Sequence, residues 1–378
     1  MKRNVQMDIL RCLAILLVIG AHLNVGQPKD GLIGFIATEW HLYGGFGVPL
    51  FFTLSGFLIG GLLLNELRKH GKISITRFLV RRGFKIYPAY FVFMLYLVFV
   101  PLVKAALAHE DVARVAGKLF TDYWPNYLFF QNYIGPNPAG HTWSLAVEEH
   151  FYLLLPFAIA ALVATKNVRW LTPFCLLSPI LFTGVRAISA WLNDPYLTDY
   201  AHTMAATHLQ LDGLLMGVGL RGLVEFHPEI FARFRNWRPA LFLAAAAILI
   251  FLPGTKIFGY PIDRILPIYT AAATALFIGI YQTKASDFGR WAGAVRKLAA
   301  PFARIGVDSY SIYLWHVTAL GIAGQVIVRL HWPTNTALGW IGAALVITSV
   351  AVVAGAVLAR LVEWPVIRLR DRFFPSRS

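Results

Sequence analysis

The sequence predicts an all-α fold, a polytopic integral membrane helical bundle, and three observations predict it. Apolar residues make up 57% of the 378 and charged residues 14%, too few charges to cover a soluble globular surface. Ten segments are long enough to span a bilayer when charge-bearing helices are included, giving about ten transmembrane helices. The formal charge of +15 is distributed unevenly between the connections. With the N-terminus inside, the cytoplasmic connections collect about 24 Lys and Arg and the outer ones about seven.

The spans are predicted at 7–24, 45–66, 84–104, 144–165, 170–190, 203–222, 240–254, 264–282, 306–328 and 338–361. The seventh ends in Leu252-Pro253-Gly254, and the sixth contains His208 and Asp212. An even number of spans puts both the N- and C-termini in the cytoplasm, in agreement with Arg368, Arg370 and Arg372 near the end of the chain. The basic balance is therefore a topology signal. No nucleic-acid partner is expected; the lipid bilayer is, and specifically the inner (cytoplasmic) membrane. Met1-Lys2-Arg3 would suit a signal peptide, but Asp8 and Arg11 interrupt the apolar region and no small-residue cleavage site follows. Cys12 and Cys175 lie inside predicted spans and form no disulfide or metal framework, so both read as packing residues.

No soluble domain is evident, so residues 1–378 are expected to form a single membrane domain. The longest polar connections are 24–44 and 105–143 outside, and 66–83, 223–239 and 283–305 inside. The 105–143 stretch is rich in aromatics, from Tyr123 to Tyr133, before it breaks at Gly135-Pro136-Asn137-Pro138. Such a composition lies at the interface or folds over the mouth of a bundle. No internal repeat is seen, which counts against transporter architectures built from repeated halves.

Five elements stand out. The first span carries Asp8, Arg11 and His22, ionisable groups that are costly in hydrocarbon and therefore mark a functional site. Eleven residues bring His22 to within about 20° of Arg11 on one face, about 16 Å further along the axis. Asp8 is placed for an i,i+3 pair with Arg11. A neutral imidazole at His22 is suited to take a proton from a hydroxyl, although a histidine at a span end also serves as an interfacial hydrogen-bonding residue.

The second element, Gly47 to Ile59, contains Ser55 and Gly56, small residues that also let helices approach closely. The third, Arg81-Arg82-Gly83-Phe84-Lys85 to Pro88, follows the positive-inside bias and is also equipped to hold phosphates. In the fourth, His141 to Tyr152, Glu148 and Glu149 point about 100° apart, so only one faces a cavity. Metal binding by His141, Glu148, Glu149 and His150 has no standard ligand spacing behind it, and no metal is expected. In the fifth, Tyr310 to His316, Tyr313 and His316 share a helical face.

In this order and across ten spans, these elements resemble the acyltransferase 3 family of integral membrane O-acyltransferases. The matching pieces are Asp8 to Arg11 through His22, Phe51-Phe52 through Ser55-Gly56-Phe57-Leu58, and Arg81-Arg82 to Pro88. They continue with Trp143-Ser144-Leu145 through Glu148 and Phe151-Tyr152, Tyr310 through His316, and Glu363-Trp364-Pro365.

The resemblance implies transfer of an acyl group, often acetyl, from acyl-CoA to a sugar hydroxyl of a cell-surface or exported glycan, glycolipid or other glycoconjugate. By the same analogy His22 is the general base and Arg11 positions the donor or stabilises developing charge, while Glu148 orients a partner or binds the acceptor. The donor-binding basic motif maps onto Arg81, Arg82 and Lys85, with Lys85 where the family usually has a second arginine. Asp8, Ser55, Trp143, Ser144, Tyr313 and His316 are the expected supporting residues. Some relatives carry a further soluble domain; here a partner acyltransferase domain of that kind would be a separate chain.

The topology suggests that the arm of acyl-CoA runs along the Arg11–His22 face in one cavity. The rival from another class is a transporter or flippase for a lipid-linked or anionic sugar, which would use the same charges. A purely structural or sensing role leaves those charges unexplained.

Overall fold

Asn4 caps the first helix, its side-chain oxygen accepting from the backbone N–H groups of Gln6 and Met7 at 3.0 and 3.3 Å. The chain then continues as helices through almost its whole length in a computed structural model, which describes residues 4–134, 138–195, 205–252, 255–257 and 260–375. In order these are α1 (Val5–Ala21), α2 (Gly31–Tyr43), α3 (Gly47–His70), α4 (Ile75–Leu107), α5 (Val112–Tyr127), α6 (Trp143–Ala164), α7 (Leu171–Trp191) and α8 (Thr207–Phe226). They continue as α9 (Pro228–Arg233), α10 (Arg238–Phe251), α11 (Ile268–Tyr281), α12 (Ala292–Val307), α13 (Ser309–Arg329), α14 (Ala337–Leu358) and α15 (Trp364–Phe373). A π-helical turn, Ala359–Glu363, joins the last two. A two-residue antiparallel pairing of Lys256–Ile257 with Tyr260–Pro261 interrupts the helices between α10 and α11.

Among the described residues, seven helical runs are long and apolar enough to cross a membrane. They are Gly31–His70, Ile75–Leu107, Gly140–Ala164, Val168–Trp191, Pro228–Phe251, Ser309–Arg329 and Ala337–Phe373. The remaining predicted spans also fold as helices, but α1 has 17 residues, α11 has 14, and α8 carries Asp212, Arg221 and Glu225. Large apolar side chains such as Leu338, Ile180 and Leu243 stand exposed on the outer helices, as expected where the neighbouring solvent is lipid. The start of the sixth predicted span (203–204), the end of the seventh (Pro253-Gly254) and the Gly135-Pro136-Asn137 break lie outside the described residues.

Two of the predicted connections are corrected. Residues 24–44 contain α2, and 105–143 contain α5. Both helices are short. The α2 segment is cut off from α3 by Gly44-Gly45, and α5 is amphipathic rather than uniformly apolar, so a search for long apolar runs passes over it.

The α3 helix is central. It packs on α8 where both backbones are bare: a Cβ on Gly56 would overlap the Leu214 carbonyl oxygen, and one on Gly217 would overlap that of Thr53. The α1 helix lies on the other side of α3, with α12 and α13 behind it. Because α1 and α3 run in opposite directions, with Gly44 against Ala21 and Gly47 against Ala14, Arg11 faces α3 near Leu54, Ser55 and Leu58. Deep in the α7–α8 contact, Arg186 donates to Asp212 at 2.8 Å and to the Leu209 carbonyl, while Thr270 of α11 donates to Asp212 at 2.9 Å. Both ions are almost fully buried, as a paired charge must be to persist there. Cys12 and Cys175 are free and buried.

Candidate active site

Five helices deliver polar side chains to one cavity of about 160 Å³ in the middle of the bundle. From α1 comes Arg11, held by Asp8 one turn earlier at 2.7 Å. From α4 come Arg82 and Lys85, three residues apart and so on one face. From α6 come Ser144, Glu148 and Tyr152 at four-residue spacing, and from α3 comes Ser55. Tyr310 and Tyr313 of α13 complete the wall.

The cations are oriented by different partners. Lys85 forms an ion pair with Glu363 in the π-helical turn, whose other oxygen accepts from Ser311 at 2.8 Å. The Lys85 ammonium also sits 5.7 Å from the centre of the Tyr310 ring. The Arg82 guanidinium lies over Phe78 and Tyr152, at 5.8 and 6.0 Å. Arg81 is not brought to this cavity: it faces the C-terminal helix, bonding the Phe374 carbonyl and pairing with Asp371 at 3.2 Å.

On α6 the two adjacent carboxylates diverge, as 100° of rotation requires. Glu148 faces the cavity and accepts from Tyr152 at 2.9 Å, and Tyr152 is hydrogen-bonded to Ser55. Glu149 instead accepts from Tyr87 of α4 at 3.1 Å.

His22 lies elsewhere. It lines a second cavity, of about 470 Å³, with Asn24, Gln325 and Arg329, and the two cavities share no wall residue. The expected single cavity along the Arg11–His22 face is therefore overturned. The His22 ring is drawn back along its helix by a bond from Nδ1–H to the Val18 carbonyl at 3.0 Å. The space toward Arg11 is filled from α6 and α13. His22 meets His316 edge-on at 5.0 Å, His316 meets His141 at 5.1 Å, and His141 lies 5.9 Å from Tyr313. Tyr313 in turn shares a 2.6 Å hydrogen bond with Ser144 and donates to the His141 carbonyl at 2.6 Å.

Each of these three imidazoles gives one N–H to a backbone carbonyl, His316 to Tyr313 and His141 to Leu314. A carbonyl only accepts, so the bonded nitrogen carries the proton and the other is the acceptor in the neutral ring. At His22 that acceptor is Nε2. Trp143 packs edge-on against Phe52 at 6.0 Å and lines a third cavity, on the far side of Val48. Among the described residues no group of three or more His, Cys, Asp or Glu is placed to hold a metal ion.

The structure thus brings together Arg11, Asp8, Ser55, Arg82, Lys85, Ser144, Glu148 and Tyr313 and separates from them His22, His316, Trp143 and Arg81. Tyr152 and Glu363, which stood in the recognised motifs without a site role, are the residues that hold Ser55 with Glu148 and Lys85 with Ser311. Nothing in the local sequence signals the second pairing, since Lys85 and Glu363 are 278 residues apart.

Apolar helices enclose buried cations, carboxylates and hydroxyls, an arrangement costlier than a membrane anchor requires. The profile of the acyltransferase domain matches residues 4–360, and the chain belongs to the acyltransferase 3 family. It is 27% identical over 337 residues to the peptidoglycan O-acetyltransferase OatA of Listeria monocytogenes, covering 85% of this chain and 50% of that protein. It is also 27% identical over 344 residues to the O-acetyltransferase OatA of Staphylococcus aureus, covering 86% of this chain and 53% of that protein. The chain therefore spans about half the length of the curated relatives it matches. No solved structure matches it.

Proposed function

We propose that the protein is a membrane O-acyltransferase, carrying acetyl from cytoplasmic acetyl-CoA to a hydroxyl of an exported glycan, with cell-wall glycan the leading class of acceptor. The observation that carries this reading is the convergence of Arg11, Arg82 and Lys85 on one cavity that also holds Ser55, Tyr152 and Glu148. The cations suit the phosphates and developing thiolate of the donor. The relatives named for O-acetyl transfer supply the group and the acceptor class. We read all ten helices as spans of the inner membrane with both termini cytoplasmic, which puts the loop from α3 to α4, and hence the donor entrance, on the cytoplasmic side.

In this reading His22 serves the acceptor from the opposite cavity. Its Nε2 takes the proton of the attacking hydroxyl as that oxygen bonds the acyl carbon, and over the whole reaction the donor's sulfur leaves as the free thiol. Because the layer of Tyr313, His141 and His316 stands between the two cavities, transfer requires that layer to open.

The test is mass spectrometry of surface glycans from a deletion strain complemented with the intact gene or with His22→Ala, with both proteins at equal levels in the membrane. We expect an acetyl mass restored only by the intact gene. Restoration by both would make His22 structural. Loss of the whole glycan on deletion, with acylation unchanged, would point to transport instead.

A further inference from the structure

Ser55 sits in a hydrogen-bonded series that a merely packed serine has no need of. Serine and threonine in membrane helices ordinarily return their hydroxyl to a carbonyl one turn back. Thr53, two residues earlier on α3, does so, donating to the Pro49 carbonyl at 3.1 Å. Ser55 reaches across to α6 and bonds Tyr152, which donates to Glu148 at 2.9 Å. A phenol has one proton, and here it goes to the carboxylate. The Ser55–Tyr152 bond therefore has Ser55 as donor, and the series runs in one direction: Ser55 Oγ–H to Tyr152, Tyr152 to Glu148. All three line the cavity that holds Arg11, Arg82 and Lys85, and Ser55 is half-buried there. The Arg82 guanidinium lies 6.0 Å from the centre of the Tyr152 ring. The position of Ser55 is fixed by its neighbour Gly56, where the α3 backbone lies against Leu214 of α8. A nucleophile hydrogen-bonded to a base system, itself oriented by a third group, is the arrangement of covalent catalysis.

The geometry points to Ser55 as a nucleophile that accepts the acyl group from the donor, with Tyr152 and Glu148 as its proton relay. This rests on the acyl-transfer reading above and deepens it. In the first step Ser55 Oγ attacks the thioester carbonyl and its proton passes through Tyr152 to Glu148. The C–S bond breaks, and the thiolate leaves as the free thiol with that proton. In the second step the acceptor oxygen, losing its proton to His22, attacks the ester carbonyl, the C–Oγ bond breaks, and the proton held by His22 passes to Ser55 Oγ, restoring both groups. No oxidant or further co-reactant is needed. With this division the nucleotide of the donor stays in the Arg11 cavity, and only the acyl group has to meet the acceptor.

The experiment uses the purified full-length chain in detergent with acetyl-CoA radiolabelled on the acetyl group and no acceptor, quenched within the first turnover and mapped by peptide mass spectrometry. We expect one label per chain on Ser55 together with a burst of free coenzyme A. Ser55→Ala should give neither label nor burst, and Ser55→Cys should carry a label that hydroxylamine removes. Tyr152→Phe, which keeps the ring and cuts the relay, should slow labelling about 100-fold, the usual scale for losing a general base. Label on His22, or full acetyl transfer by Ser55→Ala, overturns the inference and leaves the acyltransferase reading standing. Failure of the unaltered chain to release coenzyme A in either the absence or the presence of isolated cell-wall glycan overturns both.

Discussion

Glu363 has a side chain almost wholly removed from solvent, and it accepts from Lys85 and Ser311. Removing the cation leaves a carboxylate with one hydroxyl partner in a low-dielectric setting, a far larger penalty than losing a surface pair. Lys85→Met should lower stability by about 3 kcal/mol, and the double variant Lys85→Met/Glu363→Gln should recover most of it. Thermal unfolding of the two proteins in the same detergent decides the matter, since equal losses would mean that Glu363 is not relying on Lys85.

A second residue, Asp287, tests the surface turn that precedes α12. Bonds from the Lys284 backbone N–H and the Arg238 side chain hold its carboxyl below the usual carboxylate range, and Arg235 adds to the effect. A carboxyl depressed on folding adds stability above its ordinary value and loses it as pH falls through the lowered one. Asp287→Asn should therefore speed hydrogen exchange at the Lys284–Trp291 turn at neutral pH. The unaltered protein should show the same loosening only on strong acidification.

At the scale of elements, the close contact of α3 with α8 fixes where Ser55 stands. Gly56→Leu must push the two helices apart against the Leu214 backbone, and overpacking of this kind costs about 1–3 kcal/mol. We expect reduced thermal stability together with loss of acyl transfer, whereas Gly184→Leu on α7, where a Cβ would meet nothing, should change neither.

Hydropathy located the long spans well because burial in lipid needs little more than length and apolarity. It passed over α2, which is only 13 residues long, and α5, whose apolar residues alternate with polar ones around the helix. Within the site, the Asp8–Arg11 pair was legible because its spacing is local. The divergence of Glu148 and Glu149 was legible for the same reason. The Ser55–Tyr152 bond joins residues 97 apart and the Lys85–Glu363 pair residues 278 apart, contacts that no helical period encodes. The common face of Arg11 and His22 was a sound statement about α1 alone. It failed as a statement about a cavity because His141, from the turn before α6, and Tyr313 and His316 of α13 stand between them.

At the scale of the whole molecule, two of the cavities stand on either side of the layer formed by Ser144, Tyr313, His141 and His316. Tyr313 is its pivot, bonded at once to Ser144 and to the backbone of His141. A bundle with polar residues from one end to the other would be a leak, and a cell membrane holds ion gradients that a standing wet pore would discharge. The closed histidine–tyrosine layer is therefore electrical insulation as much as active-site structure. Proteoliposomes of the intact protein should hold a proton gradient, reported by an internal pH dye, while those of Tyr313→Ala should lose it faster. An idle copy of this protein then does no harm to the membrane that carries it, and many copies can be kept there between substrates.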